Sequence, residues 1–306
     1  MTTPTPGSIV PCLWFDDQAE AAAAFYTDTF PDGRITGRSY YSTLNDNPAG
    51  KPRGSLLTVE FEIGGMAFTA LNGGPIFTIT PVVSFFFQAD TAAEVDRLYA
   101  RLVEGGKPLM DLGTYPWSER YAWVQDRFGV SWQLMAGPRF TGKARIAPCL
   151  MFTGKRHGRA EEALNRYARV LHDARIESIA RYAPGEGPEN TVKHGRLVVG
   201  DQTLVAMDSH VSPDLAFNEA VSLQLMCKDQ AEVDEYWETL AAEGGEHQPC
   251  GWLKDKFGVS WQVVPAVLGE WLNSTDQVAR DRAFDAVMKM GKLDIAAIER
   301  AFKGVG

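Results

Sequence analysis

The sequence predicts an α+β protein in which one domain occurs twice in tandem, followed by C-terminal helices. The first observation is length, because 306 residues suit about two domains of ~150 residues, each able to bury a core. The second is repetition: "IVPCLWF" at 9–15 returns as "IAPCLMF" at 146–152, and "DRFGVSWQ" at 126–133 returns as "DKFGVSWQ" at 255–262. The third is the alternation of strand-like and helix-like segments within each copy. Internal duplication therefore organises the chain.

Each element of the first copy has a local signature. "SIVPCLWF" is strand-like, and "QAEAAAAFYTDTF" places Ala22, Phe25 and Tyr26 at helical spacing. "GRITGRSYY" and "SLLTVEFEI" follow as strands, and a Gly-Gly pair predicts a tight hairpin turn into the strand "MAFTALN". "VVSFFFQ" begins the series again, "TAAEVDRLYARLVEGG" is a helix closed by glycines, and two strands end at Met135. The predicted order is strand, helix and three strands, twice.

The second copy repeats this order with one trimmed loop. The repeat offset falls from 137 positions at the first strand to 129 at the "FGVSWQ" motif, because "KPLMDLGTYPWSERYAWVQ" becomes "EHQPCGWLK". In each domain we expect two βαβββ units to form a curled mixed sheet, with a concave cup and helices on the convex side. The expected boundaries are 8–137 and 145–266 for the two domains, and 268–304 for a C-terminal helical extension.

Composition excludes several classes of function. Thirty basic and 39 acidic residues give a net charge of −9, which argues against partners such as nucleic acid or an anionic membrane surface. The N-terminus lacks a signal-peptide pattern, and no apolar window of ~18 residues occurs, so we expect a soluble, cytoplasmic protein. The four cysteines lack metal-ligand spacing, and reduced thiols are expected.

The C-terminal segment carries a long apolar helical face. Ser274 and Gln277 have capping-box spacing, and apolar residues such as Phe284, Val287 and Ile298 follow. A face of this length must cover a core edge or a partner. We expect it to pack on its own domains, with a homodimer through these helices as the alternative.

Several motifs together resemble a known family. "VEFEIGGMAFTALNGGP", "AEVDRLYARLVEGG" and "DRFGVSWQLM" are similar to the PhnB-like branch of the vicinal oxygen chelate superfamily, which includes glyoxalases, bleomycin-resistance proteins and ring-cleaving dioxygenases. The resemblance covers 9–265 as two tandem glyoxalase-like domains. It implies that the two domains pair within one chain, as single-domain relatives pair between chains.

Sequences of this branch often carry the label 3-demethylubiquinone 3-methyltransferase. A nucleotide-type methyl donor requires a glycine-rich turn between a strand and a helix. The Gly-Gly pairs here follow helices or sit in predicted hairpin turns. The residues themselves therefore give the methyltransferase label no support.

The resemblance also implies positions for a divalent metal, which His, Gln and Glu ligands on the cup strands hold in the superfamily. A divalent cation favours imidazole or charged oxygen ligands, and the matching residues offer neither, so we expect no metal and no cofactor. The positions are Val10 or Pro11, Thr69, Ser84 and Gln133 in the first copy, and Ala147 or Pro148, Val205, Ser222 and Gln262 in the second.

Strand parity predicts the residues that line the cups and bind a ligand. Side chains on one strand alternate between the two faces, so Gln133 faces a cup if Trp132 packs under a helix. Aromatic walls beside a glutamine suit a planar or apolar ligand. The candidates are Cys12, Trp14, Ser84, Trp123 and Gln133 in the first copy, and Cys149, Met151, Ser222, Trp252 and Gln262 in the second.

Two residues are candidates for a catalytic role. Glu60 alternates with apolar residues on the third strand and supplies a general base if that face turns inward, although such a residue is commonly a solvated one. His194, at the counterpart of Thr58, is the one histidine expected to reach a cup, with a surface or edge-strand position as the more common alternative. The first copy contains no histidine, which weakens a cysteine mechanism there.

These observations favour a small-molecule-binding protein, or a metal-independent enzyme, for a small apolar or aromatic metabolite. The first alternative is a divalent-metal-dependent lyase or oxygenase that uses Glu60 or His194 as a replacement ligand. The second is a non-catalytic pseudo-dimeric scaffold. Because the copies differ in loop length and histidine content, we expect the two cups to be inequivalent.

Overall fold

The computed structural model describes residues 5–210 and 215–305, and its elements follow the predicted order. The strands of the first half are β1 Ile9–Phe15, β2 Arg34–Tyr40, β3 Leu56–Ile63, β4 Met66–Asn72, β5 Val83–Ala89, β6 Lys107–Tyr115, β7 Ser118–Gln125 and β8 Ser131–Ala136. Those of the second half are β9 Ile146–Phe152, β10 Ala174–Arg181, β11 Val192–Val199, β12 Gln202–Asp208, β13 Val221–Cys227, β14 Glu246–His247, β15 Trp252–Lys254 and β16 Ser260–Pro265. The helices are α1 Ala19–Thr29, α2 Ala92–Leu102, α3 Ala160–Val170, α4 Gln230–Ala241, α5 Leu268–Leu272, α6 Gln277–Val287 and α7 Ile295–Lys303.

The strands form two 8-stranded mixed sheets, and each sheet takes one βαβββ unit from each half of the chain. Sheet A has the order β14-β15-β16-β13-β1-β4-β3-β2, and sheet B has the order β10-β11-β12-β9-β5-β8-β7-β6. The α+β class, the βαβββ units and the two curled sheets agree with the sequence prediction. The assignment of both units of one domain to one sheet does not, since each unit shares its sheet with a unit from the other half.

The central strands join the two halves of the chain. β1 and β13 run antiparallel, with Cys12 opposite Ser222, and β5 and β9 pair in the same way, with Ser84 opposite Cys149. Nearly every residue of these four strands is buried. Strands buried on both faces need neighbours on both edges to satisfy their backbone groups, and the strand from the other half provides the second edge.

The two convex faces and helices α1 to α4 form one core. Phe68 of sheet A contacts Phe85 of sheet B with ring centroids 5.2 Å apart, and Trp132 lies fully buried against Tyr26 of α1 at 5.4 Å. The prediction that the motif tryptophan packs under a helix is therefore confirmed. Both halves depend on this shared core rather than on separate ones.

The repeated "D-x-F-G-V-S-W" motif is held together by its aspartate. Asp126 Oδ1 accepts hydrogen bonds from the backbone N–H groups of Phe128 and Val130, and Oδ2 accepts from the Tyr26 hydroxyl and the Trp132 indole. Asp255 repeats all four contacts with the corresponding donors of the second half. Each aspartate thus connects a turn, a strand and a helix through hydrogen bonds.

The C-terminal helices pack on the concave side of sheet A. Cys250 and Gly251, in the trimmed hairpin, donate backbone hydrogen bonds of 2.7 Å to the carbonyl oxygens of Met290 and Gly291. On the opposite rim, Asp281 of α6 accepts from the backbone N–H of Thr43. The tail therefore spans the cup of its own chain, and a homodimer through these helices stays a prediction.

One local prediction about the tail is wrong. Asp276, and not Ser274, caps α6, because its side chain accepts from the backbone N–H of Ala279. Asp294 caps α7 in the same way. Among the described residues, no helix combines the length and the apolar character that crossing a membrane requires.

Candidate functional site

The concave face of sheet A, here called cup A, encloses a cavity of about 700 Å³. Strands β1, β3, β4, β13, β15 and β16 form its floor, and the C-terminal helices form its roof. The floor includes Cys12, Trp14, Thr58, Glu60, Thr69, Gln224, Trp252 and Gln262. The roof residues are Leu268, Leu272, Asn273, Phe284, Val287, Met288 and Leu293.

The ten predicted lining residues divide between the two cups. Cup A holds Cys12, Trp14, Trp252 and Gln262, with Ser222 hydrogen-bonded to the glutamine. The concave face of sheet B, here called cup B, holds the other five by strand parity: Ser84, Trp123, Gln133, Cys149 and Met151. The grouping of Trp14 with Ser84, Trp123 and Gln133 in one cup is wrong, because β1 and β5 belong to different sheets.

Two tryptophans and a phenylalanine form the aromatic wall of cup A. The Trp14 ring lies edge-on to Trp252 at 5.9 Å and to Phe77 at 5.0 Å. Its indole N–H donates to the Gly74 carbonyl oxygen over 2.8 Å, which fixes the ring. A Cβ on Gly73 would lie 2.2 Å from that ring, so only glycine leaves room for this orientation. The wall is rigid and presents ring faces and edges to the cavity.

A row of polar side chains crosses the floor beneath this wall. The Thr69 hydroxyl donates to Gln224 Oε1 over 2.8 Å, and Gln224 Nε2 donates to Gln262 Oε1 over 3.2 Å. Gln262 Nε2 then donates to Ser222 Oγ over 2.9 Å. The row orients two carboxamides in an otherwise apolar floor, and such groups can fix the orientation of a ligand.

Glu60 points into cup A from the strand β3, so the inward-facing alternative of the sequence analysis applies. Thr58 bonds its Oε1, while Oε2 is buried and accepts no hydrogen bond among the described residues. Burial raises the pKa of Glu60, and the neighbouring polar groups of Thr58 and Asn273, together with the charge of Arg38, oppose the rise. Gly37 makes room for the carboxylate, since a Cβ there would lie 2.6 Å from Oε2.

Burial favours the protonated thiol form of the cysteines in the cups. Burial raises the pKa of Cys12 to about 12, although Gln262 and Ser222 bond its sulfur. Burial raises the pKa of Cys149 to about 12 as well. Because the thiolate is the reactive form, both residues act as packing groups, and all four cysteines are free thiols.

The residues at the inherited metal positions do not fit a divalent cation. In cup A these positions supply the Thr69 and Ser222 hydroxyls and the Gln262 carboxamide, whose oxygen already accepts from Gln224. No group of three or more His, Cys, Asp and Glu side chains within 5–210 and 215–305 is arranged to hold a metal ion. Neutral side chains that already hydrogen-bond to their neighbours are poor ligands for such an ion.

Cup B is filled by its own side chains. Phe86, Tyr121, Phe140 and Cys149 are buried together on its concave face, and the Tyr121 hydroxyl donates to Gln133 Oε1 over 2.6 Å. Gln133 Nε2 donates to Ser84 Oγ over 2.9 Å, so the predicted polar residues bind each other. The long β6–β7 hairpin adds the stacked pair Tyr115 and Trp117 above this cluster.

His194 lies in cup B, where its ring meets the Phe86 ring edge-on at 5.6 Å. Burial, together with the nearby charge of Arg196, lowers its pKa to about 4, so the ring is neutral near pH 7. The expectation of a surface or edge position is wrong. Glu60 and His194 also face different cups, so they cannot form one catalytic or metal-binding pair.

Two contributors to cup A were not predicted from the sequence. Gln224 continues the polar row. Comparison of the two copies could have revealed it, since Gln224 stands in the apolar strand β13 where the equivalent strand β5 has Phe86. Asn273 reaches Glu60 from the end of α5. No local pattern could reveal it, because its position depends on how the tail folds back over the sheet.

Comparisons with known proteins match each half of the chain. The family model described as 3-demethylubiquinone-9 3-methyltransferase matches twice, over 7–135 and 144–264. A PhnB protein from Bacillus cereus is 34% identical over 42% of this chain and 98% of its own, with a TM-score of 0.38. A Pseudomonas aeruginosa protein is 25% identical over 41% of this chain and 93% of its own, with a TM-score of 0.35.

A match to a longer structure supports the fold over most of the chain. Glyoxalase I from Zea mays is 13% identical over 85% of this chain and 93% of its own, with a TM-score of 0.56. No curated protein matches the chain. The two family matches together span most of the sequence, in the tandem arrangement that the repeats indicated. The chain therefore belongs to the PhnB-like family described as 3-demethylubiquinone-9 3-methyltransferase, in a tandem form with the glyoxalase-type fold.

Proposed function

We propose that this chain binds a small, partly aromatic or apolar metabolite in cup A, without a bound metal. The observation that carries the proposal is the cavity of about 700 Å³, since pockets for small molecules commonly have about 300–1,000 Å³ and a mainly apolar lining. The aromatic wall of Trp14, Phe77 and Trp252 would hold a planar group. The Thr69, Gln224 and Gln262 row would orient its polar substituents.

The asymmetry of the cups supports one binding site per chain. Gln224 and Thr69 of cup A stand where cup B has Phe86 and Val205. Those two apolar residues belong to the cluster that fills cup B. The packing of cup B therefore supports a structural role for this cup. The scaffold alternative would extend that role to the whole chain.

A catalytic role would rest on Glu60, because the thiols are unreactive and His194 lies in the other cup. A buried carboxylate with a raised pKa is suited to take a proton from a bound ligand. Gly64 and Gly65 give no support to the methyl transfer named in the family description, since they form the turn between strands β3 and β4 rather than a glycine-rich turn between a strand and a helix.

Calorimetric titration with 4-phenylbutan-1-ol, a neutral aromatic probe, tests the proposal. We expect one site per chain, and at least about tenfold weaker binding in the double variant Thr69→Val and Gln224→Phe, which introduces the side chains of cup B and so removes cavity volume. Phe86→Leu is the matched control at the counterpart position in cup B and should leave binding unchanged. Two equal sites, or full affinity in the double variant, would contradict the proposal.

Elemental analysis separates the metal-dependent alternative. The chain purified without chelator should contain no stoichiometric zinc, iron, manganese or nickel, because the groups at the metal positions of cup A are neutral and hydrogen-bonded to one another. One equivalent of any of these metals, lost together with probe binding on chelation, would replace our proposal with the lyase or oxygenase alternative.

A further inference from the structure

We infer that the ligand of cup A carries a protonated amine, which binds between Glu60 and Asn273 while its aromatic or apolar part lies against the Trp14 wall. The inference rests on the proposed function and names the ligand class. It follows from two unused acceptor atoms, from the charge of the lining and from the contrast with cup B.

The two acceptors lie side by side at the junction of β3 and α5. Glu60 Oε2 and Asn273 Oδ1 are both buried without a donor in hydrogen-bond geometry among the described residues, although the Asn273 carboxamide lies close enough to Glu60 to lower its pKa. They approach the same point in space together with the Asn273 amide nitrogen, since a Cβ on Gly37 would lie 2.6 Å from Glu60 Oε2, 3.2 Å from Asn273 Nδ2 and 3.3 Å from Asn273 Oδ1. Buried acceptors without donors are costly. An ammonium group supplies several N–H donors at once and fits this deficit.

The charge of the cavity lining favours the same ligand. Its charged side chains are five glutamates, and no lysine or arginine lines it within the described ranges. Two of these carboxylates are neutralised from outside the cavity, because Arg34 pairs with Glu62 and Lys254 with Glu219. Glu60 has no such ion pair within 4 Å among the described residues. A buried carboxylate in an acidic, aromatic cavity attracts a cation through both its charge and the ring faces.

Cup B has the opposite character at the equivalent position. Glu60 pairs with Thr69 across β3 and β4, and Arg196 pairs with Val205 across β11 and β12. The Arg196 guanidinium lies over the Phe140 ring at 5.3 Å and near Glu177 at 3.7 Å, so it is already engaged. Only cup A therefore presents an unpaired charge to an open cavity.

Three probes of matched size test this inference on the full chain: 4-phenylbutylamine, 4-phenylbutan-1-ol and 4-phenylbutyrate. Titration calorimetry should show the amine binding about ten- to a hundredfold more tightly than the alcohol, and the carboxylate most weakly, since a charge-assisted hydrogen bond distinguishes them. The N,N,N-trimethyl derivative of the amine keeps the charge but lacks N–H donors. It should fall between the amine and the alcohol.

Glu60→Gln is the decisive variant, because it removes the charge and nearly keeps the shape. The amine should lose its advantage over the alcohol, while binding of the alcohol should change less than about threefold. Glu270→Gln is the matched control, since it removes one charge from an exposed residue of the same lining. It should weaken binding of the amine by no more than about threefold, because exposed charges are screened.

The pH dependence gives a second readout. Binding of the amine should strengthen as pH rises through the raised pKa of Glu60, whereas binding of the alcohol should not. In Glu60→Gln the dependence should disappear, which separates Glu60 from the other groups that face the cavity or adjoin this carboxylate. Those groups are Cys12, Arg38, Tyr41, Glu62, Glu219, Glu246, His247, Cys250 and Glu270.

The outcomes distinguish this inference from the proposed function. Equal binding of alcohol and amine, or an amine preference that survives Glu60→Gln, would overturn the inference and leave a small-molecule site in cup A. Failure of all four probes to bind at millimolar concentration would count against both.

Discussion

Cup A and cup B are built from the same elements in the same register, yet one is an open cavity and the other is filled. Both have a cysteine and a serine at the centre, a glutamine that donates to that serine, and a tryptophan opposite the glutamine. The differences include five pairs of equivalent positions on the concave faces, besides Thr58 and its counterpart His194. With cup A first, these pairs are Trp14 and Met151, Glu60 and Arg196, Thr69 and Val205, Gln224 and Phe86, and Cys250 and Tyr121.

The hairpins and the tail differ in a complementary way. In sheet B the β6–β7 hairpin is long and brings Tyr115 and Trp117 over its own cup. In sheet A the corresponding β14–β15 hairpin has strands of two and three residues, and the C-terminal helices occupy the space above it. Cup A therefore has a short hairpin and a helical roof over a cavity, whereas cup B has a long hairpin that carries an aromatic plug.

The duplicated frame of strands and helices can be kept while the cups change. The frame depends on buried residues shared by both copies, above all Asp126 and Asp255 with their four donors each. The cup depends on side-chain volume at a few concave positions. Substitutions in the frame should therefore have larger effects on stability than substitutions in a cup.

Loss of either motif aspartate should damage both halves equally. Asp126→Ala and Asp255→Ala each leave four buried donors without an acceptor, so we expect a loss of about 3 to 5 kcal/mol in the free energy of unfolding, measured with urea. Asp28→Ala, which removes an exposed carboxylate paired with Arg101, should cost no more than about 1 kcal/mol. If either substitution destabilised only the half of the chain that contains it, the frame would not be shared.

Truncation in the roof should destabilise cup A alone. Leu293 is 1% exposed and packs against the trimmed hairpin at Gly251, so Leu293→Ala should cost about 2 to 5 kcal/mol and weaken binding of the cup A probes. Val278→Ala removes an exposed side chain of the same tail, 58% accessible. It should change stability by less than about 0.5 kcal/mol. Full probe affinity in the Leu293 variant would mean that the roof does not shape the cavity.

Glu60 should lower stability at neutral pH in the empty protein. Because burial raises its pKa above the ordinary value of 4.5, the folded state retains the proton to higher pH than the unfolded chain. Stability is therefore lost as pH rises through the folded pKa. Glu60→Gln should be more stable than the parent by about 1 to 2 kcal/mol near about pH 8, with little difference near about pH 4.

Urea titrations at several pH values measure this difference. Glu270→Gln should show no comparable dependence, since that residue is exposed. A Glu60→Gln variant that is less stable at high pH would indicate that a donor already satisfies this carboxylate.

The smallest effect should arise in cup B. Tyr121→Phe removes the hydroxyl that donates to Gln133 and should cost about 0.5 to 1.5 kcal/mol, without changing binding in cup A. Tyr115→Phe, whose hydroxyl donates to the exposed Asp111 carbonyl, should cost less than about 0.5 kcal/mol. New binding of the aromatic probes in cup B after either change would contradict the view that packing closes it.

Local patterns in the sequence determined the order of the elements, the duplication, the trimmed loop and the buried tryptophans of the repeated motif. They did so because periodicity and turn residues act over a few neighbouring positions. The same patterns placed Cys12, Trp14, Trp252 and Gln262 on concave faces, since side chains alternate along a strand.

The tertiary structure alone decided which residues share a cup. Pairing of β1 with β13 joins positions about two hundred residues apart, and no local pattern encodes such a contact. It separated Glu60 from His194, brought Asn273 of the tail to the Glu60 carboxylate, and left cup A open while cup B closed. Whether a cavity remains depends on the summed volume of side chains from distant segments, and that sum is defined only once the chain has folded.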